Sequence, residues 1–280
     1  MKKWSLFCFL LLMTLSIKFH AQEIVVNRSD DLNNQYQFKL LSTVLSRAQD
    51  KKYQIKQYDH VLNQTQMVQK LKSQELDVMW AGTKKLYEQE LRAIYIPLFK
   101  GLLGYRLMIV REEDKDRYRD INNIEDLRSI NMGQGRLWAD AKILQSAGMN
   151  LVTTLKYENL FYMLEGGRFD AFPRGVFEPF SEIKKYKHLP LTVEPHLVIA
   201  YPLAAYYFVR KDNNELARVI EDGLLKLIES GEFDQILEND EMVGTALSKA
   251  NLADRTIIRI DNPYLSDKTP FNDERLWYKF

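Results

Sequence analysis

The chain has 280 residues, enough for one large domain or two of ordinary size, and 46% of them are hydrophobic. Its 39 basic and 38 acidic residues nearly cancel, so no overall charge draws it to nucleic acid or to a membrane surface. We therefore expect a globular protein with no nucleic-acid partner.

The first 21 residues differ from the rest of the chain. Two lysines precede an apolar run at residues 6–17, and Ala21 offers a cleavage site. The run is shorter than the ~20 residues of a membrane-spanning helix, so it predicts a cleaved secretory signal peptide and a periplasmic protein. An uncleaved anchor is the alternative, because Phe19 stands where cleavage favours a small residue. The only cysteine, Cys8, lies in this run, so the mature chain is expected to form no disulfide.

Strand and helix patterns then alternate. Three strands are predicted at residues 23–27, 53–58 and 76–80. Helices separate them, one over residues 36–48 and one that begins at Thr65, a residue type that caps helix N-termini. This order predicts a parallel sheet with right-handed crossovers.

The middle of the chain repeats that order. A helix over residues 86–93 and an irregular crossing over 97–104 lead to an apolar strand at 105–110. The next elements are predicted as strands at 129–132 and 151–154, a turn at 133–135 and a helix at 137–147. A second unit of strands and helices therefore spans about residues 105–200.

The stretch from residue 157 to 178 carries the clearest chemical feature. It begins as an amphipathic helix that two glycines end. A short strand follows, and Pro173 and Gly175 are expected to break it. Arg174 is thereby placed at a strand tip, where α/β sheets meet their ligands.

The last third returns through a strand at residues 204–209 and a helix at 215–229 that Asn213 caps. Residues 246–280 hold a short helix, a strand-like segment at 256–260 and several aromatic side chains. Because disordered tails are poor in aromatic residues, this tail is predicted to be an ordered strap over a lobe.

These elements predict an α/β protein with two lobes, each a mainly parallel sheet flanked by helices, and two crossing strands that act as a hinge. The predicted division is a signal peptide at 1–21, a first lobe at 22–103 plus 204–245, a second lobe at 104–203 and a C-terminal strap at 246–280.

Signatures of enzymes are missing from the sequence. The three histidines beyond residue 21 show no metal-ligand spacing, and no P-loop or nucleophile elbow occurs. Gly133 and Gly135 imitate a dinucleotide fingerprint, but Trp138 stands where its third glycine would pack against a strand. We expect no enzyme, no metal and no cofactor.

Two arginines are candidates for binding an anion in the cleft between the lobes. Arg136 starts a predicted helix, whose N-terminus favours negative charge, and Arg174 lies at a neighbouring strand tip. Forked hydrogen bonds from guanidinium groups suit carboxylate, phosphate or sulfate. The alternative is that each arginine pairs with a carboxylate of the chain, such as Asp140 or Glu178.

Three further side chains lie beside predicted cleft turns. Trp80 and Trp138 are candidates for stacking on a flat or sugar-like ligand, with packing in the core as the alternative. Thr83 offers a hydroxyl to the ligand, or else it caps the helix that follows.

Up to about residue 240 the chain resembles the bacterial extracellular solute-binding proteins of family 3, the periplasmic type that binds polar amino acids. The stretches that carry the resemblance occur in the family's order and are LKSQELDVMWAGT, YIPLFKGLLGYRLMIV, INNIEDLRSINMGQG, YENLFYMLEGGRFDAF and AAYYFVRKDNNELARVIEDGLLKLIESGEFDQIL. The resemblance implies a Venus-flytrap fold that closes on a small solute by hinge motion. It also implies a monomer that serves an inner-membrane ABC permease or a sensor.

The family's ligand contacts transfer poorly to this sequence. Gln89 falls where the family carries its carboxylate-binding arginine, and Arg92 comes three residues later. Arg136 replaces a small hydroxyl residue, and Arg174 replaces the acid that holds the ligand ammonium. This exchange of charges predicts an anionic solute. A stand-alone sensor protein is the alternative, and a dehydratase-like enzyme would need a buried Glu or His facing Arg174.

Overall fold

The computed structural model describes residues 21–29, 35–49 and 51–278. The first 20 residues of the predicted signal peptide therefore lie outside the described residues. Among the helices that are described, none has the length and apolarity needed to cross a bilayer.

The chain alternates strands and helices along most of its length. The strands are β1 (Gln22–Val26), β2 (Tyr53–Gln57), β3 (Val78–Gly82), β4 (Leu91–Ile94), β5 (Tyr105–Arg111), β6 (Asn131–Gly135), β7 (Asn150–Thr154), β8 (Phe172–Gly175), β9 (Leu191–Val193), β10 (Leu197–Ala200), β11 (Ala205–Arg210) and β12 (Thr256–Arg259). The helices are α1 (Gln35–Ser46), α2 (Gln64–Lys72), α3 (Lys85–Glu90), α4 (Ile124–Leu127), α5 (Ala139–Ser146), α6 (Tyr157–Glu165), α7 (Pro179–Lys185), α8 (Asn214–Glu229), α9 (Glu232–Glu238) and α10 (Glu241–Ala250).

The strands form two larger sheets, one in each lobe, and a two-stranded sheet of β6 and β7. The first sheet has the order β2-β1-β3-β11-β4. The second has the order β12-β10-β5-β8, with β9 also on β5, and a single bridge between Met132 and Ala171 joins it to the β6–β7 pair. This arrangement confirms the α/β fold class with two lobes. The lobe boundaries given above stay a prediction.

Both sheets are mainly parallel, as predicted, and each contains one strand that runs against the others. β11 runs antiparallel to β3 and β4, and β5 runs antiparallel to β8, β9 and β10. Both strands directly follow a crossing between the lobes. They therefore enter their sheets from the far side and run against the strands they meet.

Two turns expected from glycine and proline are strand residues instead. Gly133 and Gly135 pair in parallel with β7, and Gly135 is needed there because a Cβ on it would lie 2.4 Å from the Trp138 ring. Pro173 pairs with Met108 of β5. A proline lacks only an N–H group, and β8 ends its sheet path, where that loss is tolerated.

Smaller corrections concern the ends of elements. The predicted helix at 86–93 ends at Glu90, and its last residues form β4, which sequence periodicity missed. α2 is capped by Asn63 rather than Thr65, in a capping box with Gln66. The predicted cap of α8 by Asn213 is confirmed.

Segments 95–104 and 201–204 carry the chain between the lobes, and the Tyr201 N–H donates to the Gly104 carbonyl at 3.1 Å. One apolar core continues through this region. It joins β1 residues such as Ile24 to Phe177 and Val198 of the second lobe. The cleft therefore opens above a shared apolar floor.

Candidate functional site

Two connected cavities lie between the lobes. The inner cavity has a volume of about 240 Å³ and reaches down to Phe99 and Phe177. The outer cavity has a volume of about 700 Å³ and is lined in part by exposed side chains such as Arg136 and Lys156. The residues that line both are Gln64, Trp80, Trp138 and Tyr157. A molecule in either cavity would thus contact side chains of both lobes.

Trp80 and Trp138 are held at this junction by different neighbours. Trp80 is the middle residue of β3 in the first lobe and meets the Tyr207 ring edge-on, with 6.2 Å between centroids. Trp138 precedes α5 in the second lobe and stacks on Phe172 at 6.3 Å. Both are partly exposed. The structure brings the two predicted tryptophans together at the cavities, where each also packs on its own lobe.

Arg174 lies in β8 and is 5% exposed. Its Nε is 2.9 Å from Glu182 Oε2, and its Nη2 is 2.6 Å from Glu182 Oε1 and 3.0 Å from Glu178 Oε1. Burial alone would lower the pKa of Arg174, but the two glutamates raise it well above its ordinary value. These contacts favour the alternative in which Arg174 pairs with carboxylates of the chain, and its role as an anion anchor stays a prediction.

Arg106 is a second buried arginine of the inner cavity and was missed by the sequence reasoning. Its Nη2 contacts Asp140 Oδ1, its Nη1 lies 3.6 Å from Glu178 Oε2, and the Tyr201 hydroxyl also donates to Asp140. Its Nε has no hydrogen-bond partner among the described residues. One sequence signal was present, since Arg106 interrupts the otherwise apolar strand YRLMIV.

The charges beneath the inner cavity nearly balance one another. Two guanidinium groups, of Arg106 and Arg174, face three carboxylates, of Asp140, Glu178 and Glu182. Burial raises the pKa of Glu178, and the two arginines oppose that rise. An added anion would therefore have to compete with carboxylates that already hold both arginines.

Gln37 is another residue of the inner cavity with an unused polar atom. The residue is 6% exposed, and its Oε1 accepts no hydrogen bond within the described chain. Sequence reasoning placed residue 37 only within a helix, because a glutamine on a helix gives no sign of facing a cleft. A buried acceptor without a donor is costly unless something else supplies the donor.

Thr83 does not line either cavity, and its role as a ligand contact stays a prediction. Its hydroxyl donates to Glu88 Oε1 at 2.7 Å, and its N–H donates to the Ala204 carbonyl. The cap position of α3 is Lys84, which makes no side-chain capping bond. Gln89 and Arg92, the positions compared with the family's arginine, also lie outside both linings.

Arg136 has the opposite environment from Arg174. It is exposed on the wall of the outer cavity, with its Nε 3.4 Å from the Thr153 hydroxyl. No carboxylate of the described residues pairs with it. Lys156 and Lys185 line the same cavity, and Glu158 is the acidic residue in that lining. The outer cavity is therefore basic.

A direct hydrogen bond also joins the lobes beside the outer cavity. Lys84 of the first lobe donates through Nζ to the Leu137 carbonyl of the second at 3.0 Å, and it lies 4.1 Å from the centre of the Tyr87 ring. Burial, together with nearby Lys142, lowers the pKa of Lys84 to about 8. No cluster of three or more metal-ligating side chains occurs within the described ranges.

Solved structures with this fold include amino-acid-binding proteins. An ancestral arginine-binding protein bound to arginine has a TM-score of 0.58 at 17% identity, with 80% of this chain and 99% of that one covered. The chain has the two-lobed fold of these binding proteins. A Salmonella typhimurium periplasmic binding protein with high arginine specificity has a TM-score of 0.57 at 17% identity, with 78% and 98% covered.

A third neighbour comes from work on glutathione import through a cystine ABC importer of Streptococcus mutans. Its TM-score is 0.59 at 16% identity, with 80% of this chain and 96% of that one covered. No family model and no curated protein matches the sequence. These neighbours establish the fold, and the ligand must be argued from the site itself.

Proposed function

We propose that the protein is a periplasmic solute-binding protein that holds a small solute between its lobes and delivers it to an ABC-type transporter. Its structural neighbours include substrate-binding proteins of amino-acid ABC transporters. Capture of the solute for a signalling partner is the alternative destination, and it would use the same cleft.

The observation that carries this proposal is the inner cavity. Both lobes line it, and two of its buried polar atoms, Gln37 Oε1 and Arg106 Nε, lack partners within the described chain. Leaving such groups unpaired costs about 1–3 kcal/mol each. A polar solute that donates a hydrogen bond to Gln37 and accepts one from Arg106 would remove that cost. These two unpaired groups therefore favour binding of a solute in the inner cavity.

The anionic part of the solute is assigned to the outer cavity. Arg174 is already paired, whereas Arg136, Lys156 and Lys185 line the outer cavity and have no carboxylate partner among the described residues. The solute would place its polar body in the inner cavity, pass between Trp80 and Trp138, and direct a carboxylate or phosphate toward Arg136.

Isothermal titration of the purified protein against amino acids, carboxylic acids and organic phosphates tests the proposal. For the compound that binds, Arg136→Ala should weaken binding about tenfold to a hundredfold, since a charge-assisted contact is worth about 1.5–3 kcal/mol. Arg168→Ala is the matched control, because Arg168 is exposed on the second lobe and lines neither cavity. If the Arg136→Ala and Arg168→Ala variants bind the compound equally well, Arg136 does not bind the anionic group of the solute.

One observation favours an enzyme on this fold as the second candidate. Glu178 is a buried carboxylate that lines the inner cavity, faces Arg174 and has a raised pKa. A general acid or base needs such a pKa. However, Glu178 Oε2 already accepts the Gly175 N–H at 2.6 Å, and Oε1 accepts from Arg174. Chemical turnover of the bound compound that Glu178→Gln abolishes would favour the enzyme.

A further inference from the structure

The C-terminal segment makes its own connections between the lobes. α10 packs in the apolar core with α9 on the first-lobe side, through residues such as Val243 and Ala246. Residues 251–255 then lead to β12, which pairs in parallel with β10 of the second sheet. Residues 261–278 return, and the Tyr278 N–H donates to the Lys100 carbonyl at 2.8 Å. The chain therefore passes between the lobes twice more, in addition to segments 95–104 and 201–204.

Arg255 fixes the first of these added passages. Its side chain is 5% exposed, and its Nε donates to the Ala250 carbonyl at the end of α10 at 2.6 Å. Its Nη1 donates to the Leu197 carbonyl at 3.2 Å and lies 3.7 Å from Glu194 Oε2, which is fully buried. One guanidinium thus ties the end of a first-lobe helix to the second lobe. Separating them would leave the Glu194 charge buried without its partner, which is strongly unfavourable.

The second added passage is fixed beside the hinge. Asn262 donates through Nδ2 to the Pro202 carbonyl at 2.8 Å, and Pro202 lies in a crossing segment. Trp277 packs on Gly101 of the other crossing segment, so closely that a Cβ on Gly101 would lie 2.5 Å from its ring. The Trp277 ring also stacks on Phe271 at 4.9 Å and donates to the Pro270 carbonyl. The tail is therefore held by both segments about which the lobes would turn.

We propose that residues 251–278 form an interlobe brace that holds the two lobes at one angle. A hinge of two crossing segments rotates freely because a few backbone dihedrals absorb the motion. Here any rotation must also break the Arg255 contacts or shift Trp277 from Gly101. Solute exchange then proceeds through local movement at the cavity mouth, without wide opening of the lobes. This inference does not depend on the identity of the solute.

Distance measurement between spin labels tests the brace in the full-length chain without any solute. Cys8→Ser removes the only native thiol. Lys39→Cys on α1 and Lys187→Cys after α7 then place one label on each lobe at exposed positions. The chain with an intact brace should give a single narrow distance distribution. Adding Arg255→Ala and Trp277→Ala should broaden it about twofold or more, as expected for a released hinge.

Two controls keep the test decisive. Arg259 lies at an exposed position of β12, four residues from Arg255, so Arg259→Ala should leave the distribution unchanged. Trp277→Ala alone removes a brace contact without unpairing Glu194, so it reports on the brace even if the double variant does not fold. A broad or two-peaked distribution in the unaltered chain would overturn the proposal. So would a folded double variant, or a folded Trp277→Ala variant, that is as narrow as the Arg259→Ala control.

Discussion

The inner and outer cavities each contain an arginine, but the two arginines differ in burial and in their ionic partners. In the inner cavity Arg174 is 5% exposed and held by two glutamates. In the outer cavity Arg136 is exposed, and no carboxylate of the described chain pairs with it. The sequence suggested one shared role for the two arginines. The difference teaches that a guanidinium near a cleft serves the fold when it is buried with acids and remains available to a ligand when it is not.

Removal of Arg174 should produce the largest effect. Arg174→Met leaves Glu178 and Glu182 buried with one cation fewer, and breaking such a pair costs about 3–5 kcal/mol. The free energy of unfolding, measured by urea titration with circular dichroism, should fall by that amount. Arg136→Met should change it by less than about 0.5 kcal/mol, as at other exposed positions. Equal losses in the two variants would contradict the division between paired and available arginines.

Replacing Gln37 or Gln64 by leucine should change the free energy of unfolding in opposite directions. Gln37→Leu removes a buried acceptor that has no donor, so the unfolding free energy without solute should rise by about 1 kcal/mol. The same change should weaken solute binding. Gln64 Oε1 accepts from the Tyr87 hydroxyl at 2.8 Å, so Gln64→Leu should lower stability by about 1 kcal/mol. Thermal unfolding and titration calorimetry measure both effects, and a loss of stability in Gln37→Leu would contradict an unpaired acceptor.

Stability should depend on pH through Lys84. Burial lowers the pKa of Lys84 from its ordinary value of 10.5 to about 8, so between those values the unfolded chain binds more protons than the folded one. Unfolding free energy should therefore rise as pH increases from about 8 to about 10.5. Because the group is partly exposed, the rise should stay below about 1 kcal/mol. Lys84→Gln should lose this part of the pH dependence, whereas Lys85→Gln at the exposed neighbouring position should keep it.

Raising the ionic strength should weaken solute binding in the outer cavity. It should hardly change the stability that the buried ion pairs of the inner cavity contribute. Exposed charges are screened at moderate salt, and buried pairs are screened much less. Raising the salt from about 0.05 M to about 0.5 M should weaken binding of an anionic solute severalfold. The same change should leave the stability difference between Arg174→Met and the unaltered chain nearly constant. Calorimetric binding that is insensitive to salt would argue against contact with Arg136.

Sequence periodicity located most elements because apolar spacing follows helix and strand geometry directly. Predictions from periodicity were wrong where a neighbouring side chain, or the position of a strand in its sheet, decides the local conformation. Pro173 stays in β8 because that strand ends its sheet path, and Gly135 stays in β6 because Trp138 occupies the space of a Cβ. The tryptophan positions at the cleft could be inferred from turns after strands. Gln37 and Arg106 could not, because their roles depend on what faces them across the cavity.

The sequence by itself determined the alternation of strands and helices, the two-lobed α/β class and the candidates Trp80, Trp138 and Arg136 at the cleft. Only the tertiary structure decided which charges are paired. Glu182 lies eight residues from Arg174 and Asp140 thirty-four from Arg106, so no local pattern links them. Pairing depends on distance and burial in the folded molecule, because the energy of a charge changes with its surroundings far more than with its place along the chain.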